Sequence, residues 1–244
     1  MVVPLPEERA GQARLRRWVV GRVIGVCGAR GGVGTSVLAA GLARAGARRG
    51  PVALVDLDAG GGGLDVLLGV EDVPGPRWPD LRLARGIVPG AEVLELLPLW
   101  GQVRVLSADR RRPAAPEGEV VRDVVASLAD HADVVLDLAR LRDWTDVAAR
   151  CDDVVLLATG DVPAVAGASA LLGRLGPGRV PRLVVRTGGA LDAGTVGRAL
   201  GLPVAHELRP DRTLPGAVTH GAGPCGRRLD RAAKVLGEQV RGGR

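Results

Sequence analysis

The feature that most constrains this chain is an alternation running from residue 22 to the C-terminus: short β-branched apolar runs, each ending in a small or acidic residue, separated by stretches with helical spacing. That is the pattern of βα units laid on a parallel sheet. Apolar runs uninterrupted by polar residues suit strands covered on both faces. They predict strands at Val23–Cys27, Val52–Asp56, Val103–Ser107, Val134–Asp137, Val154–Ala158, Leu183–Arg186 and Val204–Glu207. Helices fit between them at about 36–48, 118–130, 163–175, 192–200 and 225–240. The stretch Val70–Pro79, with three prolines and Trp78, predicts a loop. The expected fold class is therefore α/β, a mostly parallel central sheet of about seven strands with helices on both faces.

At 244 residues the chain can bury one large core. Residues 1–21 read as a basic N-terminal extension and 22–244 as a single domain. The run Gly60–Gly63 and the segment Arg110–Pro116 read as mobile surface loops, because βα periodicity resumes beyond each. In the extension, Arg14, Arg16, Arg17 and Trp18 could touch lipid or an acidic surface, a solvated terminal helix being the plainer reading. No apolar run approaches the roughly 20 residues that span a bilayer, and no apolar segment precedes a cleavage site, so a cytoplasmic location is expected. Cys27, Cys151 and Cys225 have neither metal-ligand nor disulfide spacing and are expected to be buried thiols. Basic residues are almost all arginine, with Lys234 the single lysine, and Phe and Tyr are absent, a bias of high-GC coding. The net charge of +6 favours acidic surfaces, but the arginines are scattered, which does not favour a nucleic-acid partner.

The strongest local signal is VIGVCGARGGVGTSVLAAGLARA, residues 23–45: an apolar strand, a glycine-rich turn, then an amphipathic helix opening at Ser36. Gly31, Gly32 and Gly34 allow backbone amides to converge on an anion without Cβ interference, and the helix N-terminus adds its dipole. The plainer alternative is a turn rich in glycine because the whole chain is. The second strand ends in VALVDLDAGGGGLDVLLGV, where Asp56 and Asp58 emerge at the carboxyl edge of the sheet, the place where open α/β sheets bind ligands. Asp65 is expected to cap the short helix that follows.

The segment Ala29-Arg30-Gly31-Gly32-Val33-Gly34-Thr35-Ser36 resembles the deviant Walker A motif of the MinD/ParA family of P-loop NTPases, x-K-G-G-x-G-K-[ST], with both lysines replaced. The resemblance implies nucleotide binding by Gly31, Gly32, Val33, Gly34, Thr35 and Ser36, with ATP or ADP and Mg2+ as cofactors. Ser36 falls where the magnesium-binding hydroxyl belongs, Thr35 where the phosphate lysine would be, and Arg30 at the signature-lysine position. By the same likeness Asp58 orients the attacking water, Asp56 sits near magnesium, and Asp137, closing Val134-Val135-Leu136, matches the Walker B aspartate that holds magnesium through water. The segment 151–175 is similar to the family's next strand and helix, with Asp161-Val162-Pro163 at the turn. Arg186-Thr187 replaces the asparagine that often reads adenine, and Pro210-Asp211 is similar to the loop that closes over the base.

Leu138-Ala139-Arg140 departs from the family's usual Pro and Gly and resembles the D-L-P-R of the CpaE/TadZ branch, which commonly lacks the P-loop lysine; actinobacterial septum-site-determining (Ssd) and CpaE-like proteins match best. Such proteins usually carry a receiver-like domain in front, which is not expected within the roughly 20 residues preceding the first strand here. A charged hydrogen bond to phosphate contributes about 1.5–3 kcal/mol, nearer 4 in a partly desolvated site, so Thr35 predicts binding weakened roughly ten- to a thousandfold and very slow turnover. The expected function is a nucleotide-responsive or inactive positioning protein, working as a homodimer with a Tad pilus or secretion ATPase or a division protein, with peripheral membrane contact. The alternatives are an active ATPase cycling on membrane or nucleoid, and DNA partitioning. Leu229, Ala232, Ala233, Leu236 and Val240 share one face of the last helix; the small alanines favour a packing helix over a membrane anchor.

Overall fold

The computed structural model describes residues 21–58, 63–86, 88–113, 115–138, 145–175 and 179–242. These build one eight-stranded sheet, in the chain order β1 (Val23–Gly28), β2 (Val52–Asp56), β3 (Leu99–Trp100), β4 (Val103–Leu106), β5 (Asp133–Asp137), β6 (Asp153–Thr159), β7 (Arg182–Arg186) and β8 (Val204–Leu208). Across the sheet the order is β3-β4-β2-β5-β1-β6-β7-β8. Every pairing is parallel except β3 with β4. The expected α/β class holds; the eighth strand is the two-residue β3, too short and too close to β4 to carry a periodicity of its own.

Helices α1 (Thr35–Ala47), α2 (Leu64–Leu68), α3 (Gly90–Leu96), α4 (Gly118–Ala129), α5 (Thr145–Ala148), α6 (Val162–Leu175), α7 (Ala193–Leu200), α8 (Leu214–Thr219) and α9 (Arg227–Gly242) complete the described chain. Successive strand residues serve opposite layers. Cys27, Ala53, Val55, Val134, Leu136, Leu156 and Ala158 face a core closed by α3, α4, α6 and α7. Val26, Leu54, Val135, Val155 and Leu157 face the other, closed by α1, α2 and α9. Both faces are therefore apolar, as the uninterrupted runs require. Leu229, Ala232, Ala233, Leu236 and Val240 of α9 are all fully buried, and α9 comes so near α1 that a Cβ at Gly41 would lie 3.0 Å from Leu229. The small residue that allows this approach is Gly41 on α1, against which Leu229 of α9 lies.

Three local expectations are corrected. Val70–Pro79 is not wholly loop: Trp78 opens a 3-10 turn over Trp78–Leu81 and is buried, its indole Nε1 donating to the Asp56 carbonyl at 2.6 Å. Arg110 to Arg112 do not hang free, since Arg111 pairs with Asp72 at 3.6 Å and Arg112 with Asp80 at 2.6 Å and Asp109 at 2.7 Å. Cys27 and Cys151 are buried as expected, and burial pushes both thiols up to about 12, but Cys225 is exposed. The N-terminal extension through residue 20, Gly60 to Gly62 and Ala139-Arg140 lie outside the described residues.

Candidate functional site

The glycine-rich loop lies where sequence reading puts it, at the carboxyl end of β1 in the middle of the sheet, between β1 and the N-terminus of α1. β2 and β5 lie on one side of β1 and β6 to β8 on the other, so the loop occupies a topological switch point. Gly32 and Gly34 have φ of +76° and +104°, which side chains with a Cβ rarely adopt. Gly28 is required for a different reason: a Cβ there would sit 2.2 Å from Thr35 Oγ1 and 2.8 Å from Val33 Cγ2. Helix α6 packs beneath the loop, where a Cβ on Gly167 would stand 2.0 Å from the Ala29 carbonyl oxygen. α1 begins at Thr35, one residue earlier than the sequence suggests, with Gly34 as its N-cap and no side-chain capping bond. Among the described residues, no amide in 31–36 donates to a protein acceptor. A run of N–H groups at a helix start, on a loop with no Cβ obstruction, is chemically a place for phosphate oxygens.

A cavity of about 560 Å³ opens on one side of the loop, lined by Arg30, Thr35, Ser36, Asp56, Asp58 and Asp137 among others. Asp56 and Asp137 end neighbouring strands and are paired in register, so two buried carboxylates stand side by side at its floor. Burial above all pushes the Asp56 carboxyl up to about 7; the Leu64 amide bonded to it pulls the other way, and the Asp137 charge pushes it further up. Asp56 Oδ2 accepts from the Leu64 amide and Oδ1 from the Asp58 amide, both at 2.9 Å. The first amide of α2 is thus taken by Asp56, eight residues upstream, while Asp65, buried inside α2, takes the first-turn amide of Val66 at 3.0 Å and has Arg110 at 3.8 Å. Ser36, Asp56 and Asp137 offer hard oxygen ligands of the kind magnesium takes together with phosphate and water. Among the described residues no group of three or more His, Cys, Asp or Glu side chains is arranged to hold a metal ion.

A second cavity, of about 640 Å³, lies on the opposite side of the loop and shares Arg30, Gly32 and Gly34 with the first. The ends of β6, β7 and β8 and helix α8 wall it, bringing Arg186, Pro210 and Asp211 together with Thr159, Arg209 and Leu214. Both volumes fall in the range of ligand pockets, roughly 300–1,000 Å³. Arg186 donates to the Val33 carbonyl at 3.1 Å. Asp211 accepts from the Thr213 amide at 3.1 Å and hydroxyl at 2.7 Å. Thr159, Arg209 and α8 were not singled out from the sequence; strand-end position after β6 was the signal available for Thr159.

The two substituted positions face different surroundings. Thr35 is buried against Gly28. Arg30 turns to Asp161 at 3.1 Å. Asp161 also takes the Thr159 hydroxyl at 2.5 Å and the Ala164 amide at 3.0 Å, and these bonds, with Arg30 third, hold its carboxyl down to about 2. Both partners are substantially exposed, so solvent screens the pair and it adds little to stability. Lys234 lines a separate groove with Arg44, Arg48 and Arg49 between α1 and α9.

No protein-family model matches the chain. Two uncharacterized proteins from two strains of Mycobacterium tuberculosis are 37% identical over 235 residues, an alignment covering 92% of this chain. The chain spans 66% of the length of these curated relatives. Among solved structures, the MinC:MinD cell division complex of Aquifex aeolicus matches with a TM-score of 0.73 at 19% identity, over 92% of this chain and 97% of that one. MinD of Pyrococcus horikoshii complexed with Mg-ADP matches at 0.71 and 18%, over 90% and 96%. A ParA family ATPase of Chlorobium tepidum matches at 0.70 and 18%, over 91% and 96%. The fold is therefore that of the MinD/ParA ATPases. No helix among the described residues is long and apolar enough to cross a membrane.

Proposed function

We propose that this chain is a positioning protein of the MinD/ParA fold, of the CpaE/TadZ kind, that binds ATP or ADP with magnesium weakly and hydrolyses it very slowly or not at all. The observation carrying this reading is a run of amides in residues 31–36 without protein acceptors, facing a cavity floored by Asp56 and Asp137, beside a buried threonine where a phosphate cation would stand. Amides, Ser36 and the two carboxylates suffice to hold phosphate and a shared cation. Bound magnesium would neutralise phosphate charge. Transfer chemistry needs more cationic help in the transition state than in the ground state, so loss of the lysine weakens turnover more than binding. Lys234, the single lysine of the sequence, lines the groove of α1 and α9 and cannot stand in.

MinD of Pyrococcus horikoshii holds Mg-ADP, and MinD of Aquifex aeolicus assembles with MinC, which support a nucleotide ligand and a protein partner of the same general kind. For this chain the reading is a homodimer that places a secretion or pilus ATPase, or a division protein, at a cell site, with Pro210 and Asp211 on the base side of the nucleotide and Asp58 poised toward the attacking water. Calorimetric titration of ATP and ADP, with and without magnesium, against wild type and Thr35→Lys tests it. The lysine is expected to tighten magnesium-ATP binding roughly tenfold to a thousandfold and to introduce turnover. If wild type already hydrolyses ATP at the roughly 10 s⁻¹ of an ordinary enzyme, the inactive reading is wrong. If neither protein binds either nucleotide, the loop is a structural remnant.

A further inference from the structure

The loop lacks a lysine on α1 but not a cation beside it. Arg186, at the last residue of β7, crosses to the loop, and its guanidinium donates to the Val33 carbonyl while lying 3.9 Å from where a Gly34 Cβ would stand. It is partly buried, and among the described residues no carboxylate stands within ion-pair distance of it. The two acids lining the same cavity are already engaged: Asp161 by Arg30, Thr159 and the Ala164 amide, and Asp211 by Thr213 and the Arg228 amide. A guanidinium taken partly out of water without a counter-ion is unfavourable unless an anion completes it. A single carbonyl uses one of its five donors, and the others remain for an anion that offers two or more acceptor oxygens, as a phosphate does. Arg186 also sits on the loop face away from Asp56 and Asp137, so a phosphate chain cradled by the amides would have carboxylates and a shared cation on one flank and this guanidinium on the other.

Resting on the nucleotide-binding reading above, we infer that Arg186 is the substitute phosphate cation of this loop, recognising the phosphate chain of the ligand and not its base. It works from β7 across the loop, a geometry that secures ground-state binding of a polyphosphate yet places the charge away from the Thr35 position where transfer would need it. The inference accounts for a loop that keeps its glycines and carboxylates without its lysine.

The experiment titrates ADP and inorganic tripolyphosphate, which has no base, against wild type, Arg186→Gln, Arg186→Lys, and Arg186→Gln combined with Thr35→Lys, with thermal melts to establish that each variant is folded. Arg186→Gln should weaken both ligands by about tenfold or more. Arg186→Lys should retain most of the affinity, and Thr35→Lys should restore it in the Gln background, because charge and not loop shape is what was lost. If Arg186→Gln weakens ADP but not tripolyphosphate, or if wild type binds ADP and not tripolyphosphate, Arg186 serves the base and the inference is overturned. If Thr35→Lys fails to rescue while the protein is folded, the Val33 contact is the residue's whole role, which also overturns it. Wild type binding neither ligand removes the nucleotide reading itself, a result distinguishable from both.

Discussion

At the residue scale, the loop is decided by contacts that leave no room for a methyl group. Replacing Gly28 with alanine puts a carbon 2.2 Å from Thr35 Oγ1 and 2.8 Å from Val33 Cγ2, and the loop must shift. The expected cost is about 1–3 kcal/mol in urea unfolding, with a matching loss of nucleotide affinity. Adding Thr35→Ala removes the nearer clashing atom and should recover part of it, a coupling a double-mutant cycle reads directly. Asp161 titrates in the opposite sense to Asp56. Its folded-state value, about 2, lies below the ordinary 3.8, so the stability it contributes is present above the ordinary value and is lost as pH falls through the folded one. Acid unfolding of wild type should therefore show a component between about pH 4 and 2 that Asp161→Asn lacks, followed by circular dichroism across that window. The Arg30 contact should loosen in the same window, because it is one of the three bonds that depress the group.

At the scale of elements, α9 separates two readings of one sequence pattern. Five of its apolar residues, Leu229, Ala232, Ala233, Leu236 and Val240, are fully buried, so Leu236→Ala should cost about 2–5 kcal/mol in denaturant unfolding. A surface helix reserved for lipid would lose less than about 0.5 kcal/mol, and that result would return the anchor reading. The strand-loop-helix unit of β1 and α1 was legible because strand period, glycines and helix period all change within a dozen residues. α2 and the 3-10 turn were not, because their ordering comes from outside them: Asp56 caps α2 from eight residues upstream and also accepts the Trp78 indole on its carbonyl. Asp65, the cap expected by local rules, takes one first-turn amide, that of Val66, and also lies beside Arg110.

On the scale of the whole molecule, much of the positive charge behind the net +6 is paired among the described residues, with Arg44, Arg48, Arg49 and Lys234 gathered along one groove. Arg22, Arg44, Arg49, Arg85, Arg112, Arg182 and Arg241 are tied to carboxylates around the sheet, so no contiguous basic face follows from the count alone. Random duplex DNA should bind weakly at about 50 mM salt and be lost by about 200 mM, with a shallow slope in fluorescence anisotropy; a slope matching six or more phosphate contacts would reinstate DNA partitioning. By itself the sequence determined the α/β class, the glycine loop between strand and helix, and strand-end carboxylates at one edge, because these follow from local period and backbone freedom. It could not determine which strands are neighbours. Only the order β2-β5-β1-β6-β7 sets Asp56 beside Asp137, raises a carboxyl by shared burial, and brings Arg186 across 153 residues onto the Val33 carbonyl. Periodicity records how each segment meets a core, whereas charge at a site depends on which segments meet each other, and that is fixed only when the sheet is assembled.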